Sequence, residues 1–191
     1  MNEFDSQKFM LNSVNILLQT IGELPIEDEA DIDAILEARI ARDVIIEAKQ
    51  NVLSEGWDLN TDTDYPLYPD ENNYIVVPTN ILDLSIPDTA IVVRDWQLFN
   101  KETSSRKFTT SVSATIRWNL DFNSLPYVFR NYITIMASRL FQGRLIGDKQ
   151  AYAFTQNDEQ QALLRVKQSE GFTGQYNMLS SDYGTSFNVL G

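Results

Sequence analysis

The side chains best able to do chemistry in this sequence are carboxylates, because imidazole and thiol are both missing. The chain has 27 acidic residues, no histidine and no cysteine. Neither a Ser-His-Asp nor a Cys-His constellation can therefore be built, and no thiolate or imidazole metal site exists. Two carboxylates could still act as the acid and base of a glycan or peptidoglycan hydrolase, although so acidic a chain brings carboxylates together by chance. The most regular oxygen-rich pattern is Asp58-Leu59-Asn60-Thr61-Asp62-Thr63-Asp64, the alternation that opens an EF-hand calcium loop. It fails where that loop needs glycine for its sharp turn, at Thr63, and where it needs a bidentate glutamate, at Pro69. The stretch therefore reads as a polar turn entering the next element. No GxGxxG or P-loop pattern offers a phosphate cradle. Arg139, Arg144 and Lys149 form a basic cluster that could face a DNA backbone or an acidic partner, but cations at this place also complement the end of a helix. No catalytic, cofactor-binding or metal-ligating residue is assigned, and no cofactor is expected.

The bulk charge points the same way. A formal net charge of −12 repels phosphate and weighs against a general nucleic-acid binder. Its distribution is bipolar: 19 acidic and 4 basic side chains up to Val93, then 8 acidic and 11 basic from Arg94 onward. Such asymmetry can orient copies in an assembly, or simply solvate one face. With 43% hydrophobic and 22% charged residues among 191, the chain has globular composition and a length that suits one compact domain or one helical body carrying a sub-domain. Glu3 and Asp5 stand where an export signal would need a basic start, and no apolar run approaches bilayer length, so neither export nor a membrane partner is expected.

The elements follow from period and punctuation. Phe9, Met10, Val14, Leu17, Leu18 and Ile21 recur at helical spacing, predicting a helix from about Lys8 to Ile21 with Gly22 as its left-handed cap. A second, long amphipathic helix is predicted from Asp31 or Asp33 to Gly56. From Trp57 to Trp118 the pattern changes to short β-rich runs, among them Tyr74–Val77, Ala90–Val93 and Val112–Trp118. Ser124 followed by Leu125-Pro126 reads as the start of a third helix that Gly143 and Gly147 end, and a fourth is predicted over roughly Lys149 to Ser169. The resulting expectation is an α+β fold: a helical bundle formed by the N- and C-terminal helices (1–56 and 123–171), with a small antiparallel β-sheet region (57–122) inserted.

Residues 172–191 are expected to form an extended C-terminal tail, with glycines and a single charge, Asp182. Its apolar residues lack a period that a bundle helix could use, which suits a segment that orders against a partner. Tyr176, Met178, Leu179, Tyr183, Phe187 and Leu190 are the candidate anchors on a portal protein or a neighbouring subunit.

Several stretches, in order, resemble one family. Val14-Asn15-Ile16-Leu17-Leu18-Gln19-Thr20-Ile21-Gly22-Glu23-Leu24-Pro25 is similar to the N-terminal signature of the tail tubular protein A family, with Ser13 in the place of that signature's alanine. Glu55-Gly56-Trp57, Leu67-Tyr68-Pro69-Asp70, Asn80-Ile81-Leu82, Leu125-Pro126-Tyr127-Val128-Phe129-Arg130, Ala137-Ser138-Arg139-Leu140-Phe141 and Tyr176-Asn177-Met178-Leu179 continue the likeness. These are the head-to-tail adaptors, or gatekeepers, of T7-like short-tailed bacteriophages. The resemblance implies a structural virion protein, assembled in the host cytoplasm as a homo-oligomeric, dodecameric ring. It would dock below the portal protein, hold the tail nozzle (tail tubular protein B) and tail fibres beneath, and let genomic DNA pass without specific binding. The competing reading is a virion-associated hydrolase using paired carboxylates.

Overall fold

A computed structural model describes residues 8–145 and 154–182, of which 172–182 are described as backbone alone. The helices are α1 (Lys8–Thr20), α2 (Leu36–Ser54), α3 (Tyr127–Leu145) and α4 (Gln156–Asp182), and the strands are β1 (Thr61–Leu67), β2 (Ile81–Ser85), β3 (Ile91–Arg94), β4 (Gln97–Asn100) and β5 (Val112–Trp118). The chain divides into two compact units, one made of Met1–Val52 with Asp121–Gly191 and the other of Leu53–Leu120. The α+β arrangement expected from the sequence, helices from both ends and small antiparallel sheets between them, is present.

In the helical unit, α1 ends as its sequence requires. Gly22 takes φ 83°, the Glu23 amide donates to the Leu18 carbonyl and the Gly22 amide to that of Gln19, which together form a Schellman cap. Side chains of the distant C-terminal half then satisfy α1 along its length. The Met10 amide donates to Asn123 Oδ1 at 3.1 Å, Ser13 and Thr134 share a buried hydroxyl pair at 2.9 Å, and Gln142 donates to the Thr20 carbonyl at 2.8 Å. These three contacts bind segments far apart in sequence, and the first and third satisfy end groups that a free helix would leave to water. Val14, Leu17 and Leu18 of α1 and Phe129, Ile133, Ala137 and Phe141 of α3 are buried in the same unit.

Several boundaries differ from the sequence expectation. The acidic stretch before α2 does not open it: Asp28 caps a 3-10 turn, Glu29–Asp33, and α2 starts only at Leu36. The Asp28 carboxylate accepts from the Ala30 amide, so local side-chain bonding holds a tight turn where a longer helix was predicted. Ser124 is not the cap of α3, because its hydroxyl donates to the Asp121 carbonyl inside a further 3-10 turn, Phe122–Ser124. Leu125, with ψ 148°, is held extended by the proline that follows it. Gly143 lies inside α3. Helix α4 begins at Gln156, where Thr155 and Asp158 make a capping box, with the Thr155 amide and hydroxyl each 2.7 Å from Asp158 and the Asp158 amide 3.2 Å from the Thr155 hydroxyl. It then runs through Gly171 to Asp182, so the tail read as extended from Phe172 is helical for its first part.

In the second unit, β1, β5 and β2 form an antiparallel sheet in that order, and β3 and β4 form a hairpin. Residues of β5 alternate, with Ala114 and Ile116 turned into a core that also holds Leu67, Ile75, Val77 and Leu98. Tyr74–Val77, read as a strand, makes only isolated bridges, Tyr74 to Lys107 and Val76 to Gln97. Pro78 follows directly and has no amide with which to extend the ladder. Trp118 stacks edge-on against Tyr65 with ring centres 5.5 Å apart, and its indole N–H donates to Asp62 at 2.7 Å.

Candidate interaction surfaces

The oxygen-rich stretch is absorbed by the β-unit. Asp58–Asn60 is a 3-10 turn and Thr61 opens β1, whose pairing with β5 shifts register between Asp62 and Tyr65, so the stretch is divided between a turn and a bulged strand instead of closing a loop. Asn60 is buried and bonded to backbone, Asp62 accepts from Trp118, and Asp64 accepts from Ser113 at 3.3 Å. Among the described residues, no group of three or more His, Cys, Asp or Glu side chains is placed to hold a metal ion. Calcium is accordingly expected not to bind this stretch. Titration calorimetry should show no stoichiometric heat, and micromolar binding abolished by Asp62→Ala would overturn the expectation.

Of the basic cluster, Arg144 forms a forked pair with Glu47 of α2, at 2.7 and 2.8 Å, and Arg139 pairs with Glu159 of α4. Lys149 lies outside the described residues. The two arginines thus bond acidic side chains of neighbouring helices, a role the sequence did not disclose because Glu47 is 97 positions away from its partner. They flank a hollow of about 530 Å³ whose apolar floor is Met136 and Leu140. The hydrogen bond from Arg144 holds the Glu47 carboxyl below the ordinary carboxylate range. The Thr155 hydroxyl and amide do the same for Asp158. A hydrolytic general acid needs the opposite displacement.

The family-signature residues turn out to be architectural. Asn15 clamps the chain after the Schellman cap: its Oδ1 accepts from the Ile26 amide at 2.8 Å and its Nδ2 donates to the Ile26 carbonyl at 2.9 Å. Glycine and asparagine within this signature therefore define a turn. Arg130 in the second-half signature lies 3.7 Å over the Phe9 ring and donates to the Leu125 carbonyl. Of the proposed anchors, Tyr176, Met178 and Leu179 lie on the backbone of α4, while Tyr183, Phe187 and Leu190 lie outside the described residues.

The geometry thus describes a helical unit with an inserted strand unit, in which the polar side chains named above hold elements together. A family model described as Tail tubular protein matches residues 11–176, and the chain belongs to that family. It is a structural protein of the phage tail, a component of the virion. No curated protein matches the chain. Among the described residues, no helix is long and apolar enough to cross a membrane.

Proposed function

We propose that this tail protein is the head-to-tail connector: copies close into a ring, a dodecamer by resemblance, between the portal protein and the tail nozzle. Tail fibres attach near that junction, and the genome passes through the central channel. The match to the tail tubular family over residues 11–176 carries this reading. The net charge of −12 supports it, because an acidic wall lets DNA slide without adhering. In this reading the C-terminal segment docks on the portal or on a neighbouring subunit, with Tyr176, Met178, Leu179, Tyr183, Phe187 and Leu190 as anchors. Each such anchor, fully buried, contributes about 1.5–3 kcal/mol before ordering costs.

The test is electron microscopy of the chain mixed with its portal, comparing the full chain with one stopped at Asp182 and with Tyr176→Ala/Met178→Ala/Leu179→Ala. Both variants are expected to keep their unfolding temperature and to dock at least about tenfold more weakly. Undiminished docking by both would remove the segment as the anchor. Absence of any ring on portals would remove the connector reading itself.

A further inference from the structure

One hairpin in the strand unit closes against steric preference. β3 and β4 are joined by Asp95 and Trp96, both left-handed, with φ 52° and 60°. A two-residue turn with both φ values positive favours Asn-Gly or Asp-Gly, and a bulky side chain at its second position is strained. Trp96 nevertheless occupies it, and its side chain gains little burial there, being 57% exposed. The turn is braced from outside: Arg106 donates to Asp95 at 2.6 Å and to Gln97 at 3.2 Å, and the Val77 amide donates to the Trp96 carbonyl at 2.8 Å. In the strand that leads into the turn, Val93 is exposed and Arg94 stacks over the Phe99 ring at 4.0 Å. Between Arg94 and Lys107 the chain has four basic and two acidic residues. The fold therefore holds a strained, solvent-facing aromatic knob on a stretch of net positive charge.

The helical unit carries a hollow of the opposite character. Where the chain turns from α1 toward α2, Leu18, Leu24, Pro25, Ile26 and Ile35 line a cavity of about 240 Å³ rimmed by Glu23 and Glu37. Leu24 is 83% exposed. Residues 23–37 include seven acidic side chains and no basic one.

We propose that Trp96 of one copy seats in the hollow around Leu24 and Ile35 of the next copy, with Arg94 facing Glu23 and Glu37. This inference rests on the ring reading above. Charge selects both the occupant and the geometry. Knob against knob would bring positive surfaces together, and hollow against hollow would bring acidic ones together. Only the head-to-tail pairing of two copies joins opposite signs while burying the indole and the exposed leucine. A contact between two different patches of the same chain is heterologous, the type that closes into rings. The strain at Trp96 is then understood as a device that presents the side chain to a neighbour.

The absence of native cysteine gives a clean test by site-specific cross-linking. Val93→Cys and Leu36→Cys variants of the full chain are treated with a short bis-maleimide, separately and mixed, and ring population is followed by sedimentation and on portals by electron microscopy. The mixture is expected to give cross-linked pairs at least tenfold above either variant alone. Trp96→Gly, which suits the turn, should keep or raise the unfolding temperature while lowering ring population at least tenfold. Glu37→Arg should do likewise, and adding Arg94→Glu should recover assembly. Rings that persist undiminished in Trp96→Gly would overturn this contact while leaving the ring reading intact. A chain carrying both cysteines that cross-links only within itself would overturn it as an intersubunit contact. Failure of the unmodified chain to form rings, alone or on portals, would overturn both.

Discussion

Phe141→Ala is expected to destabilise the helical unit by about 3–5 kcal/mol, among the largest effects of any single truncation in the chain. The ring is fully buried in α3, one turn from Ala137 and beside Gln142, whose amide closes the last carbonyl of α1. Removing it deletes the transfer energy of an aromatic side chain and leaves a cavity lined by residues that other helices hold in place. Helix propensity does not offset this, since alanine gains only a few tenths of a kcal/mol over phenylalanine in a helix, roughly a tenth of the loss. The check is urea unfolding followed by far-ultraviolet circular dichroism, with Leu145→Ala of the same helix as control. Leu145 is 44% exposed, so its truncation should cost about 1 kcal/mol or less. Equal shifts for the two variants would mean that α3 does not contribute its buried face to the core as described.

The helices were legible in the sequence because their apolar residues recur every three or four positions, and α1 was legible to its cap because Gly22 has no Cβ to oppose φ 83°. Strand β5 was equally plain, since an alternating run of β-branched and aromatic residues has few other uses. What sequence did not reveal are boundaries decided by side chains bonding locally. Asp28 and Asp121 each hold a 3-10 turn through an aspartate bond to a nearby amide, and periodicity does not register such bonds. The capping box at Thr155 and Asp158 could have been read, because threonine followed three places later by an acid is a start signal. The glycines of the C-terminal stretch misled in the opposite direction: Gly171 does not adopt a left-handed φ, so α4 continues through it. Partner surfaces were the least legible. Trp96 is conspicuous only once its φ and exposure are known, and Glu47 and Arg144 meet only in three dimensions.

Asn60 shows how a residue can be noticed for the wrong chemistry. In the sequence it belongs to an alternation that suggests cation ligands; in the structure it is 1% exposed and joins three backbone groups of its unit. Its Oδ1 accepts from the Trp57 amide at 3.0 Å, and its Nδ2 donates to the carbonyls of Leu53 and Trp118, each at 3.0 Å. These bonds tie the end of α2 and the end of β5 to the start of β1. Close by, Gly56 takes φ 79°, a left-handed conformation that a side chain with a Cβ would strain. Asn60→Ala is therefore expected to cost about 3 kcal/mol, because each buried partner left unsatisfied costs roughly 1–3 kcal/mol and partial relaxation recovers some of that. Asn60→Asp separates hydrogen bonding from packing. It keeps the shape and the acceptor for the Trp57 amide, but places a carboxylate against two carbonyls that need a donor. Burial and those carbonyls favour its protonated form in the folded state, so the folded variant binds more protons than the unfolded one and loses stability as pH rises. The Asn60→Asp defect should accordingly be smallest in acid, where protonation restores one donor, and deepest at neutral pH, while the Asn60→Ala defect should change little with pH relative to the unmodified chain. Thermal unfolding of both variants at acid and neutral pH distinguishes the cases, and a pH-independent Asn60→Asp defect would mean that the Nδ2 bonds to Leu53 and Trp118 do not carry the stability assigned to them.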